Sequence, residues 1–190
     1  MSKVVLVRSA AHRRHRDAAG RLEEVLSDEG EVQARRLAER IGTLLEGRPA
    51  VFVSPWPRAI LTGREIAMGW AQALPLCVER DLRPPDLRFH AEELATSGVP
   101  GGGAGAAHRA RTGWSSATAE HQEQFRRRCS DAILGILNGV AGEDVVIVSH
   151  QLVLAAIQVT LGDLVEPPRP GALRVLKIDR SGTGIQSCPC

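Results

Sequence analysis

The run Asp144-Val-Val-Ile-Val-Ser-His150 passes without a break into Gln-Leu-Val-Leu-Ala-Ala-Ile-Gln-Val-Thr-Leu-Gly. Four consecutive β-branched residues with no polar alternation predict a strand covered on both faces. The apolar stretch that follows predicts a helix, so "DVVIVSH" (144–150) reads as a strand feeding directly into a helix. The same grammar recurs along the chain. "KVVLVR" (3–8), "AVFVS" (50–54), "LPLCVE" (74–79) and "ALRVLKID" (172–179) read as strands. "PWPRAILTGREIAMGWAQ" reads as a helix with its prolines confined to the opening, where they cost least. In "SDEGEVQARRLAERIGTLLEG", Ser27 can cap a helix, Asp28 and Glu29 favour its positive end, and Gly47 can end it. Val32, Leu37, Ile41, Leu44 and Leu45 fall near one face of it. "TAEHQEQFRRRCSDAILGILNGVAG" is a longer helix carrying Phe125, Cys129, Ile133, Ile136 and Leu137 near one face. Short buried strands alternating with helices predict an α/β fold, a three-layer α/β/α sandwich with a mostly parallel central sheet.

Residues 10–26 are polar and charged and read as a loop. A second irregular region, about 80–117, holds Pro84, Pro85, Pro100 and "GVPGGGAGAAH". An irregular segment of that length predicts a lid-like insertion over a pocket. Its glycines follow no strand and therefore do not make a dinucleotide site. The chain has 190 residues, 43% of them hydrophobic, which suits one globular domain spanning 1–190. A formal net charge of +2 is too weak a bias to imply a nucleic-acid partner. No run approaches a membrane span and no leader is apparent, so a soluble, cytoplasmic protein with reduced thiols is expected. Cys77, Cys129, Cys188 and Cys190 make no zinc pattern. "SCPC" at the C-terminus reads as a frayed tail, a redox or metal clip being the alternative. No metal and no cofactor is implied.

In a parallel sheet, ligands bind beyond the carboxyl ends of the strands. Three polar clusters fall there: Arg8–Ser9, Ser54 with Arg58, and Ser149–His150. Taken singly, Arg58 is a surface arginine, Ser54 a helix cap and His150 a structural histidine. Taken together, two arginines and a histidine at helix openings predict a pocket for a phosphate, sulfate or carboxylate. Lys3 and Lys177 are the only lysines, so the basic residues are almost all arginine. GC-rich coding explains that skew better than function does, except for arginines inside a site.

The arrangement resembles the histidine phosphatase superfamily, the phosphoglycerate-mutase-like fold. That family opens with a strand ending Arg-His-Gly. It continues with Leu-Thr/Ser-x-x-Gly-x-x-Gln-Ala, here "LSDEGEVQA" (26–34), then Ser-Pro-x-x-Arg-Ala-x-x-Thr, here "SPWPRAILT" (54–62). A late strand ends in Ser-His before a helix, here "VVIVSHQLVLAAI". The resemblance implies Arg8, Arg58 and His150 as anion-binding residues. It also exposes two departures. The position of the phosphoryl-accepting histidine holds Ser9, followed by Ala10 rather than glycine. The Leu-x-Glu phrase that supplies the acid/base glutamate is matched by Leu82–Arg83–Pro84, and proline transfers no proton. Asp86, Glu92 or Glu93 could substitute.

The expectation is a protein of this fold that binds a phosphate- or sulfate-bearing small molecule in an arginine pocket without phosphohistidine chemistry. Ser9 and His150 are the catalytic candidates, either for non-hydrolytic chemistry at an anionic leaving group or as remnants in a partner subunit. The alternative is an active phosphatase or mutase whose nucleophile is Ser9, His12 or His15. Trp56, Trp114 and the basic run "RRHR" (13–16) could supply contacts in a homo- or hetero-oligomer.

Overall fold

The computed structural model describes residues 2–16, 22–85, 119–140, 142–178 and 185–188. In chain order the strands are β1 (Ser2–Arg8), β2 (His12–Arg16), β3 (Leu22–Leu26), β4 (Ala50–Val53), β5 (Leu76–Val78), β6 (Val145–Ser149), β7 (Leu173–Ile178) and β8 (Ile185–Cys188). Among the described residues the helices are α1 (Asp28–Leu44), α2 (Pro57–Met68), α3 (Ala119–Gly139) and α4 (Gln151–Thr160), with a 3₁₀ turn at Arg80–Leu82.

Six strands form one sheet in the order β5-β4-β6-β1-β7-β8. The pairs β5–β4, β4–β6 and β6–β1 are parallel, while β7 runs antiparallel to β1 and β8 antiparallel to β7. Because side chains alternate across a strand, β1 feeds two cores. Val4 and Leu6 join Phe125, Cys129 and Ile133 of α3 and Val153, Leu154 and Ile157 of α4. Val5 and Val7 join Leu37 and Ile41 of α1 and Ala59 and Ile66 of α2 on the other face. All four β1 side chains are 0% exposed. Burial of each contributes roughly 1.5–3 kcal/mol, which is why an unbroken apolar run suits this strand. The result is the expected three-layer α/β/α sandwich.

α1 starts as its sequence dictates, with the Ser27 side chain accepting from the Gly30 N–H at 3.1 Å. Its buried residues are Gly30, Ala34, Leu37, Ala38 and Ile41, spaced three or four apart. Val32 lies two residues from that stripe, on the far side of the helix, and is 39% exposed, contrary to the expected face. Gly47 takes the left-handed φ of 95° that lets the chain turn towards β4.

Three other expectations are corrected or bounded. Residues 10–26 contain a hairpin, not only a loop: β2 and β3 pair antiparallel with His12 opposite Leu26 and Arg14 opposite Glu24. Cys188 is not in a frayed end but pairs with Val175 through β8; Cys190 lies outside the described residues. Of the expected lid, Arg80–Pro85 is described, whereas 86–117, with Asp86, Glu92, Glu93, Pro100 and Trp114, lies outside the described residues. Among the described residues no helix is long and apolar enough to cross a membrane.

Candidate functional site

Parallel pairing of β1, β6 and β4 sets three strand ends side by side. Arg8 is in register with Ser149. The Ser9 N–H donates to the Ser149 carbonyl at 2.9 Å, and the Ser54 N–H donates to the Val148 carbonyl at 2.9 Å. The three clusters singled out in sequence therefore share one edge of the sheet. Two helices open there. Arg58 is the second residue of α2, and His150 is the N-cap of α4; neither helix start has a side-chain cap. Their free N–H groups add positive potential to the edge.

Arg58 connects the cluster. Its Nη2 donates to His150 Nδ1 at 3.0 Å, and the ring's Nε2 lies 2.9 Å from Ser54 Oγ. A guanidinium only donates, so Nδ1 is the acceptor. The ring proton then sits on Nε2 and is donated to Ser54. Burial, then the charges of Arg58, His12 and Arg8, push the His150 pKa down to about 3. His150 is therefore a neutral imidazole at physiological pH, 6% exposed. Arg58 also stacks 4.7 Å from the Trp56 ring centroid, and Trp56 meets the His150 ring edge-on at 5.6 Å. Packed on one side and bonded on two, the guanidinium is fixed in place.

Arg8 contrasts with it. The residue is partly buried, and among the described residues nothing accepts from its guanidinium. Burial and then the charge of Arg58 depress its pKa. Ser9, 6% exposed, follows immediately. Its backbone is tightly held, because the next two N–H groups donate to Thr62 Oγ1 (Ala10, 3.1 Å) and Gln33 Oε1 (Ala11, 2.9 Å). Among the described residues its hydroxyl has no side-chain base as a partner. The Ser149 hydroxyl donates to the Leu82 carbonyl at 2.8 Å, which places Leu82–Arg83–Pro84 beside this edge.

One residue escaped the sequence reading. Glu24, on β3, reaches into the cluster: its Oε2 accepts from Arg58 Nη1 at 2.5 Å and its Oε1 from Arg14 Nε at 3.2 Å. The same Oε1 lies 4.0 Å from His12 Nε2. Burial and the charge of Arg58 lower the His12 pKa, Glu24 opposes them, and Arg14 adds to the lowering. The signal was present as a basic run, "HRRHR", followed five residues later by the acidic "LEEVL". Opposite charges at hairpin spacing mark cross-strand partners. His15 lies on β2 opposite Glu23, and its side chain lies outside the described residues.

Solved structures of similar shape span nearly the whole chain. The YhfR protein of Bacillus stearothermophilus superposes with a TM-score of 0.69 at 18% identity, covering 98% of this chain and 95% of that one. A mycobacterial glucosyl-3-phosphoglycerate phosphatase complexed with VO3 gives 0.66 at 20% identity, covering 93% and 91%. A phosphoserine phosphatase from Entamoeba histolytica in complex with 3-phosphoglyceric acid gives 0.62 at 15% identity, covering 99% and 98%. At these identities the likeness is one of fold. No curated protein matches the chain in sequence. The model of the histidine phosphatase superfamily (branch 1) matches residues 4–182. With the fold, the strand-end edge and this match in agreement, the chain belongs to the histidine phosphatase superfamily, branch 1.

Proposed function

We propose that this protein binds a phosphate- or sulfate-bearing small molecule between Arg8, Arg58 and His150, and does so without forming a phosphohistidine at the position of Ser9. The observation that carries the reading is Arg8: a partly buried guanidinium that feels the charge of a second arginine, Arg58, with no acceptor among the described residues. A half-desolvated cation beside another cation is costly unless an anion completes it. The two open helix starts and the Ser9 hydroxyl add donors around the same place, and neutral His150 lines it while holding Arg58. Relatives named as phosphatases, one complexed with VO3 and one with 3-phosphoglyceric acid, agree with an oxyanion ligand. A serine hydroxyl with no base in contact is not an equivalent replacement for an imidazole nucleophile. The pocket then serves as a binding subunit or stabilises an anionic leaving group in non-hydrolytic chemistry. The protein works in the cytoplasm as a single domain, and Asp86, Glu92 or Glu93 supplies any proton transfer that the ligand requires.

A second reading has one specific observation in its favour. His12, with its depressed pKa and Glu24 4.0 Å away, is a neutral imidazole beside Arg58 and a carboxylate. Such an imidazole is a plausible substitute phosphoryl acceptor. Titration calorimetry with inorganic phosphate, an aryl phosphate turnover assay and intact mass separate the two. We expect phosphate to bind the wild type. Arg8→Ala should weaken it by about 10- to 100-fold, since charge-assisted bonds contribute about 1.5–3 kcal/mol. Ser9→Ala should change it by less than about tenfold. No binding to the wild type would end the anion-site reading. Turnover with a phosphoryl adduct, abolished by His12→Ala, would establish the second reading in place of the first.

A further inference from the structure

Both terminal nitrogens of Arg58 are already engaged, Nη1 with Glu24 at 2.5 Å and Nη2 with His150 at 3.0 Å. Arg8 has no such engagement among the described residues. An oxyanion that settles on Arg8 therefore meets an Arg58 whose outer edge is occupied by a carboxylate. That carboxylate is 12% exposed and bridges two unlike cations. On the inside is Arg58, 14% exposed; on the outside is Arg14, 61% exposed and directly across the hairpin. Resting on the proposed anion site, we infer that Glu24 is its resident anion. Its carboxylate holds Arg58 until the phosphate- or sulfate-bearing ligand takes that place, and then withdraws onto Arg14.

The physical case has three parts. An empty site with two unpaired guanidiniums would carry a buried, uncompensated charge, and Glu24 removes half of that load. A carboxylate and a ligand oxyanion repel each other, so both cannot share Nη1 at close range. Withdrawal is inexpensive, because Oε1 already touches Arg14 and the cross-strand register keeps that partner opposite when the side chain turns outward. The hairpin backbone need not open. Ligand entry and the outward turn of Glu24 become one event, and the affinity measured for any ligand includes the cost of displacing the carboxylate.

The test is calorimetric titration of inorganic phosphate into the wild type, Glu24→Gln, Arg14→Ala and the double variant, with melting temperatures taken with and without phosphate. An amide holds a guanidinium about half as strongly as a carboxylate does. Glu24→Gln should therefore bind phosphate about five- to tenfold more tightly. It should melt lower than the wild type without phosphate and gain more from adding it, which loss of a merely structural bond would not produce. Arg14→Ala should weaken binding about two- to fivefold when Glu24 is present, the small effect expected of an exposed pair. It should have no effect in the Glu24→Gln background. Arg14 is exposed, so where Glu24→Gln folds poorly the single variant decides: phosphate binding by Arg14→Ala equal to the wild type's overturns the inference. Binding by the wild type with no gain in Glu24→Gln overturns this inference alone, as does an equal effect of Arg14→Ala in both backgrounds. No phosphate binding in either wild type or Glu24→Gln overturns the anion-site reading and this inference together.

Discussion

His150 gives a prediction whose size follows from its surroundings. In the folded protein its pKa falls from the ordinary 6.5 to about 3, because burial and then Arg58, His12 and Arg8 disfavour the imidazolium. In the unfolded chain the ring regains its ordinary value and takes up a proton below pH 6.5. The unfolded state therefore binds more protons between these limits, and stability rises with pH across them. The penalty is absent well above pH 6.5, grows as pH falls, and levels off only below about pH 3. Linkage converts this into about 2 kcal/mol of stability lost between pH 7.5 and pH 5. His150→Asn retains an acceptor towards Arg58 and cannot titrate. Urea unfolding of both proteins at the two pH values isolates the term: the wild type should lose about 2 kcal/mol more than the variant. Equal losses would refute the reasoning, and so would an imidazole resonance of His150 that titrates near pH 6.5. Either result would mean that burial and the neighbouring cations do not hold the ring neutral.

Two further outcomes follow from packing. A Cβ on Gly30 would sit 1.8 Å from the Ala11 carbonyl oxygen, which accepts from the Ser27 N–H; Gly30→Ala should cost about 2–4 kcal/mol in chemical unfolding and weaken phosphate binding by shifting Ser9, and a cost under about 0.5 kcal/mol would contradict the contact. Asp163, 4% exposed, accepts from Arg174 through both carboxylate oxygens and from Gln158. Asp163→Ala leaves Arg174 largely buried without its partner and should destabilise by about 3–5 kcal/mol in urea titrations, whereas a change below about 1 kcal/mol would show the pair to be dispensable.

The sandwich was legible because its strands carry their own signature. Val4–Val7 and Val145–Val148 are continuous apolar runs, and only a strand buried on both faces makes use of such a run. Ser54, Arg58 and His150 were legible because each follows a strand end, and strand ends of a parallel sheet converge. The hairpin was not. β2 reads His-Arg-Arg-His-Arg, with no apolar face to set a period, and its register comes from charges on β3 that lie about ten residues away. Glu24 was lost with it, since a carboxylate in a polar stretch acquires meaning only from the guanidinium it meets. β8 and the antiparallel run of β7 escaped for a related reason. A strand's direction is fixed by the path of the chain between elements, and no residue within "LRVLKI" records it.

The position of β1 has a consequence for how the chain is made. It precedes the other strands of the sheet in chain order, yet it lies inside the sheet, between β6 and β7. Val4 pairs with Val145 on one side and with Leu176 on the other. A nascent chain emerging from the ribosome therefore carries four exposed apolar residues and two open strand edges until Val145 and the residues after it are made. Its earliest strand pairings within reach are the β2–β3 hairpin and then β4 with β5, neither of which covers β1. Unpaired apolar edges are the species that aggregate or recruit chaperones. A stall or truncation before Val145 should leave a chaperone client rather than a partly folded domain. The arginine edge at the end of β1 is assembled only when β6 and the start of α4 arrive.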